Sequence, residues 1–297
     1  MLRRLVKMIQ NNVVCVDSSS SSPTVAYVSP ECEEVGGVAS LGDEVFVMRF
    51  ITQQKIEVYD AKTFTLQRHV RVPGLGDNSC GLVACPYNNC LYASDSNNNS
   101  VHRVELTVSS DVMKWSVAVL PLGLSVNSEH RLLVVSQDER KLQIFTSRGT
   151  LLQNIQLRAK IEDPWHAVQL PTGQFLVSHF GPLHRVCLVG GDGAVVRSYG
   201  GQEGSKLTQM NDPRGLAVDG EGRVLVADVK NNRLLVIDAD ASLSSAHELF
   251  VCVDKGLKGP CSLWYDQSRG CLYIGEGSGR LIVVDNLKNF TPFIVQA

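Results

Sequence analysis

The chain has 297 residues, 44% hydrophobic and 20% charged, with 28 Lys and Arg set against 30 Asp and Glu. A formal charge of −2 excludes the strongly basic footprint of a general nucleic-acid binder, and the composition is that of an ordinary globular protein. No apolar run approaches the ~18 residues a membrane helix needs, so the chain reads as soluble and cytoplasmic, with neither a membrane nor a DNA partner expected.

Taken in order, residues 1–12 (MLRRLVKMIQNN) are basic and partly apolar, but Lys7 and Gln10 interrupt them, which makes a poor secretory signal. Residues 2–9 have helical character at a length that is marginal in isolation. The serine run at 18–22 and Pro23 read as a flexible linker. Residues 1–33 match nothing downstream and form an amino-terminal tail, in which residues 24–29, TVAYVS, are a candidate closing strand. The segment 293–297, FIVQA, is the alternative.

From residue 34 onward one phrase recurs. Its clearest copy is residues 213–238, PRGLAVDGEGRVLVADVKNNRLLVID, three short strands of alternating and β-branched residues bounded by Gly, Asn and Asp. Further copies open at Val35, Ser79, Pro121, Pro164 and Pro260, so the openings lie roughly 45 residues apart. Variable fourth strands follow: TLQRHVRV, WSVAVL, LLQNIQL, AVVRSYG and HELFVCV. The spacing predicts an all-β chain, a six-bladed β-propeller of four-stranded antiparallel blades over residues 34–297. One blade cannot bury both of its faces, so the blades pack against one another around an axis.

The fifth copy resembles the NHL repeat through Pro213, Gly215, Ala217, Val218, Asp219, Gly222, Val226, Ala227, Asp228, Asn232 and Arg233. The other five are degenerate copies in the same register. NHL propellers commonly end tripartite-motif proteins, behind a RING, B-boxes and a coiled coil. The resemblance therefore implies a propeller that recognises a protein or RNA target for an attached ubiquitin-ligase module. This sequence holds no RING or B-box Cys/His array and no heptads, so ligase activity is not expected within it.

Each copy places two polar residues where its second strand ends and its third begins. Asp228 with Arg233 and Glu276 with Arg280 are expected to pin their loops as partly exposed ion pairs of ~1 kcal/mol. Asp95 with Ser100 is the equivalent in the second copy. The pairing lapses elsewhere, at Arg49 and Lys55, at Ser136 and Lys141, and at His179 and His184. These unpaired cations, with Arg214, Lys230, Arg233 and Arg280, are the candidate partner-binding rim, to which Trp165 adds an aromatic contact. Trp264 is assigned to the core.

Catalysis finds less support. Zinc-binding propeller lyases converge histidines from several blades, whereas His166, His179 and His184 all belong to the fourth copy. There is no G-x-S-x-G elbow and no Walker-type phosphate loop. No cofactor and no metal are expected. Nine cysteines form no zinc knuckle. Cys85 and Cys90 flank a short turn, where a disulfide would belong to an oxidising compartment, and free, partly buried thiols are expected. The sequence favours a non-enzymatic module that binds a protein partner through one propeller face. Single-stranded RNA on the basic rim, or a metal-dependent lyase or lactonase at the channel mouth, are the alternatives.

Overall fold

A computed structural model describes residues 13–15, 23–107, 111–158, 161–237, 246–250 and 256–287. Residues 2–9, the serine run at 18–22 and residues 293–297 lie outside them.

Two short strands precede the repeats: β1 (Val13–Cys15) and β2 (Thr24–Val28). Blade one is β3 (Val35–Leu41), β4 (Glu44–Arg49), β5 (Lys55–Asp60) and β6 (Leu66–Arg71). Blade two is β7 (Leu82–Cys85), β8 (Cys90–Asp95), β9 (Ser100–Glu105) and β10 (Val112–Ser116). Blade three is β11 (Pro121–Val126), β12 (Leu132–Ser136), β13 (Lys141–Phe145) and β14 (Leu151–Gln156). Blade four is β15 (Pro164–Gln169), β16 (Phe175–His179), β17 (Arg185–Val189) and β18 (Val195–Gly200). Blade five is β19 (Pro213–Val218), β20 (Val224–Asp228), β21 (Arg233–Ile237) and β22 (Ala246–Phe250). Blade six is β23 (Pro260–Asp266), β24 (Cys271–Glu276) and β25 (Leu281–Asp285).

These are six antiparallel meanders, and the amino-terminal segment joins two of them. Strand β2 lies antiparallel to β25 as the outermost strand of blade six, from Thr24↔Asp285 to Val28↔Ile282. Strand β1 runs parallel to β22 along the edge of blade five.

The second strand of each blade is buried on both faces because it sits between neighbouring blades, and so are most of the third strands, blade one's β5 being half-buried at alternate residues. Phe46, Leu91, Leu133, Phe175, Leu225 and Ile274 are all shut off from solvent. Outer strands β6 and β14 are exposed at nearly every residue, as expected where only one side meets protein. The expected fourth strand WSVAVL is displaced. Strand β10 runs from Val112 to Ser116, so only Trp115 and Ser116 of that segment lie in it.

Two features of the inner strands fix the axis. In blades one, three, four, five and six the opening residue pairs with the last residue of the second strand, and the register then slips. Such bulges sharpen the local twist. Glycine in the inner strand lets neighbouring blades touch: a Cβ on Gly81 would meet the Leu122 oxygen at 2.2 Å, and one on Gly215 the Cys261 oxygen at 2.7 Å. This close approach explains the repeat's glycine after its opening residue.

Candidate functional site

The ends of the second strands and the starts of the third lie on one face of the ring, with the openings of the inner strands. Asp228 and Arg233 are the pair the sequence suggests, but they are buried, at 0% and 7% side-chain exposure, not partly exposed. Arg233 Nε donates to Asp228 at 2.7 Å, and its other nitrogens donate to the carbonyls of Ser205, Lys206 and Gln209. The Asn211 N–H and the Asn231 amide complete the carboxylate's shell at 2.7 and 2.8 Å. The pair thus ties the long connection before blade five to the blade itself. Glu276 and Arg280 repeat the device at 2.6 Å, with Arg280 also donating to the Gly256 carbonyl.

Most of the expected lapses are substitutions of one pin for another, and here the expectation of unpaired cations is corrected. Arg49 stands where blade five has its acid. Its Nε and Nη2 donate to Glu57, and Nη1 donates to the carbonyls of Glu33 and Gly279 at 3.1 and 2.7 Å. Lys141 pairs with Glu139. Asp95 takes a 3.1 Å contact with His102 Nε2, whose pKa burial lowers, and lies 3.6 Å from Lys114 Nζ, so a ring donor and one cation from elsewhere in blade two take the place of the partner missing at Ser100.

Blade four corrects a pairing. Its loop is one residue longer than that of blade five, so Arg185 and not His184 stands opposite His179. Arg185 Nε donates to His179 Nε2 at 2.8 Å, and His179 Nδ1 donates to the Glu162 carbonyl at 3.1 Å. The ring is therefore neutral. Burial, and then the Arg185 charge, lower its pKa to about 4. His184 instead accepts the Asp212 N–H at Nδ1 over 2.9 Å.

Arg214 donates twice to Asp212, at 3.0 and 2.9 Å, and its guanidinium carbon lies 4.2 Å from the centre of the Trp165 ring. Among the described residues, Lys55 and Lys230 have no carboxylate in ion-pair range. Lys55 stands directly opposite Arg71, a like-charged pair that the sequence reading missed because the two lie on different strands.

A cavity of about 540 Å³ runs along the axis, lined by inner strands of all six blades. Its walls are largely apolar, with Leu82, Leu124, Leu216 and Leu263 prominent. Residues of the turns between first and second strands, including Pro86, His130 and Ser268, line the end opposite the ion-paired rim. Trp264, expected in the core, is half-buried: it packs against the edges of core clusters and lines this cavity. Its Nε1 donates to Ser40 Oγ at 2.8 Å, and Ser40 donates to Asp266 at 2.6 Å. Burial opposes ionisation of Asp266, but donors from Ser268, Ser40 and the Arg269 backbone outweigh it and hold the carboxyl below its usual range.

His166 reaches from blade four to blade three, where Nε2 donates to the Leu124 carbonyl at 3.0 Å, and burial lowers its pKa to about 4. At the turn end, Tyr87 stacks on His130 with ring centres 4.0 Å apart and planes 3° from parallel. Tyr87 is 74% exposed. The sequence reading missed it, although an aromatic in a polar hairpin turn is a usable signal. Among the described residues no group of three or more His, Cys, Asp or Glu lies close enough to hold a metal ion, and no helix is long and apolar enough to cross a membrane.

Comparison with known proteins places these features. The NHL repeat family model matches residues 210–237, which span blade five's first three strands. Protein brain tumor of Drosophila melanogaster is 25% identical over 128 residues, covering 41% of this chain and 12% of that protein. The B-box type zinc finger protein ncl-1 of Caenorhabditis elegans is 25% identical over 123 residues, covering 40% and 14%. The chain thus matches only a small part of either relative's length. Virginiamycin B lyase from Staphylococcus aureus shares the fold, with TM-score 0.62 at 8% identity over 89% of this chain and 99% of that one. The WD40 β-propeller domain of Doa1 does too, with TM-score 0.60 at 12% identity over 89% and 97%. At such identities the likeness is one of fold alone. Six meanders around one axis make this chain a six-bladed β-propeller, and its fifth blade matches the NHL repeat.

Proposed function

We propose that the chain is a non-enzymatic binding module that recognises a protein partner through the propeller face where the axial cavity opens. The observation that carries this reading is the cavity itself, about 540 Å³ and largely apolar, with an exposed tyrosine stacked on His130 of its lining. Specific sites are concave and mostly apolar with a few placed polar groups, and exposed aromatics dominate interface energetics. Here Ser40, Trp264 and Asp266 are the polar groups and Tyr87 is the anchor. The opposite rim contributes less in this reading, because Arg49, Lys141, Arg214, Arg233 and Arg280 already hold carboxylates or carbonyls.

The relatives add a direction. One is named a B-box type zinc finger protein, so the propeller is proposed as the target-recognising part of a larger ubiquitin-ligase-type assembly.

Affinity capture with three baits tests the reading: the unaltered chain, Tyr87→Ala with His130→Ala, and Lys55→Glu with Arg71→Glu. Loss of the captured protein from the first variant and its retention by the second is the expected result. Retention by the first variant and loss from the second moves the site to the rim.

A further inference from the structure

Two of the described cysteines face each other. Cys85 ends β7, Cys90 begins β8, and the hairpin register sets them directly opposite. Opposed residues of an antiparallel pair have Cα atoms ~4.5–5.5 Å apart, within the span that a disulfide bridges. Both thiols are free and buried. Pro86 and Tyr87, which follow Cys85 in the turn, are exposed, so solvent lies one residue away.

The two sulfurs are not equivalent. The Cys90 thiol hydrogen-bonds Cys85, and the Asn88 amide donates to Cys85 Sγ at 3.1 Å. These bonds outweigh burial and draw the Cys85 thiol down to about 5. The same contact with Cys85, together with burial, raises Cys90. Elsewhere burial dominates, and it pushes Cys187 up to about 12.

We propose that Cys85 and Cys90 form a reversible dithiol–disulfide couple, oxidised by hydrogen peroxide, with Cys85 the attacking and Cys90 the resolving sulfur. The Cys85 thiolate attacks one peroxide oxygen, the O–O bond breaks, and the departing hydroxide takes a proton to become water. Cys85 is left as a sulfenic acid. The Cys90 sulfur then attacks Cys85 sulfur, the S–O bond breaks, and the hydroxide leaves as water with the Cys90 proton. One peroxide is reduced to two waters while two thiols are oxidised to one disulfide. A dithiol reductant reverses the reaction by thiol–disulfide exchange. The bond ties together the two ends of the turn that carries Tyr87. This chemistry is independent of whether that face binds a partner.

Peptide mapping by mass spectrometry after brief treatment of the whole chain with stoichiometric hydrogen peroxide tests the proposal. A Cys85–Cys90 linked peptide, lighter by two hydrogen atoms and restored by dithiothreitol, is expected. Both thiols should disappear about tenfold faster than that of Cys187 in the same sample. Cys90→Ser should trap a sulfenic acid at Cys85 that dimedone labels, and Cys85→Ser should give no such label at Cys90. Consumption of Cys85 and Cys90 no faster than Cys187, or overoxidation of Cys85 without a link, overturns it. Both of those results are read in the unaltered chain and need no variant to fold.

Discussion

Replacing His179 by Gln removes a titrating group from a buried position while leaving a donor and an acceptor near the places of the two ring nitrogens. His179 is fully buried and its folded-state pKa is about 4, against an ordinary value of 6.5. Below pH 6.5 the unfolded chain therefore binds a proton that the folded chain refuses. The stability His179 contributes is complete above pH 6.5 and is lost as pH falls towards 4. At about pH 5 the unfolded imidazole is almost fully charged and the folded one almost fully neutral, which corresponds to ~2 kcal/mol lost relative to about pH 7.5. Urea denaturation of the unaltered chain and of His179→Gln at both pH values measures it. The gap between the two proteins should close by ~2 kcal/mol on acidification, because the variant has no imidazole to protonate. A gap that stays constant across this range refutes the neutral, Arg185-bonded imidazole.

Further outcomes follow from the pins and the axis. Asp228→Ala leaves the Arg233 guanidinium buried without its carboxylate and should cost about 3–5 kcal/mol in chemical denaturation, well beyond an exposed pair. A loss below about 1 kcal/mol would mean that the pair is solvated. Gly81→Ala places a Cβ 2.2 Å from the Leu122 oxygen and should destabilise by about 1–3 kcal/mol, whereas Gly42→Ala, with nothing within 4 Å of a Cβ but a positive φ, should cost about 1 kcal/mol. Equal losses at the two sites would argue against tight packing between inner strands.

The repeat was legible because a blade is a local object. Its strands follow one another within forty-odd residues, and the apolar alternation, turn glycines and opening proline of residues 213–238 state their own geometry. The amino-terminal strands gave a weaker signal, because β2 and its partner β25 lie at opposite ends of the chain.

The rim was misread for a related reason. Whether Arg49 is free depends on Glu57 along the neighbouring strand and on the Gly279 carbonyl of blade six, neither of which its own loop reveals. Blade four's extra loop residue put His184 where Arg185 belongs. The cavity was the least visible feature. Inner strands far apart in sequence make its walls, and Trp264 reads as an ordinary core residue until the ring is closed around it.

A photo-activatable cross-linking residue at position 87 and, in a separate protein, at position 230 asks most directly which face meets the partner. Position 87 lies beside Pro86 and His130 of the cavity lining and position 230 on the opposite, ion-paired rim. Recognition through the cavity face predicts a covalent adduct with the captured protein from position 87 and none from position 230. An adduct from position 230 alone would contradict it.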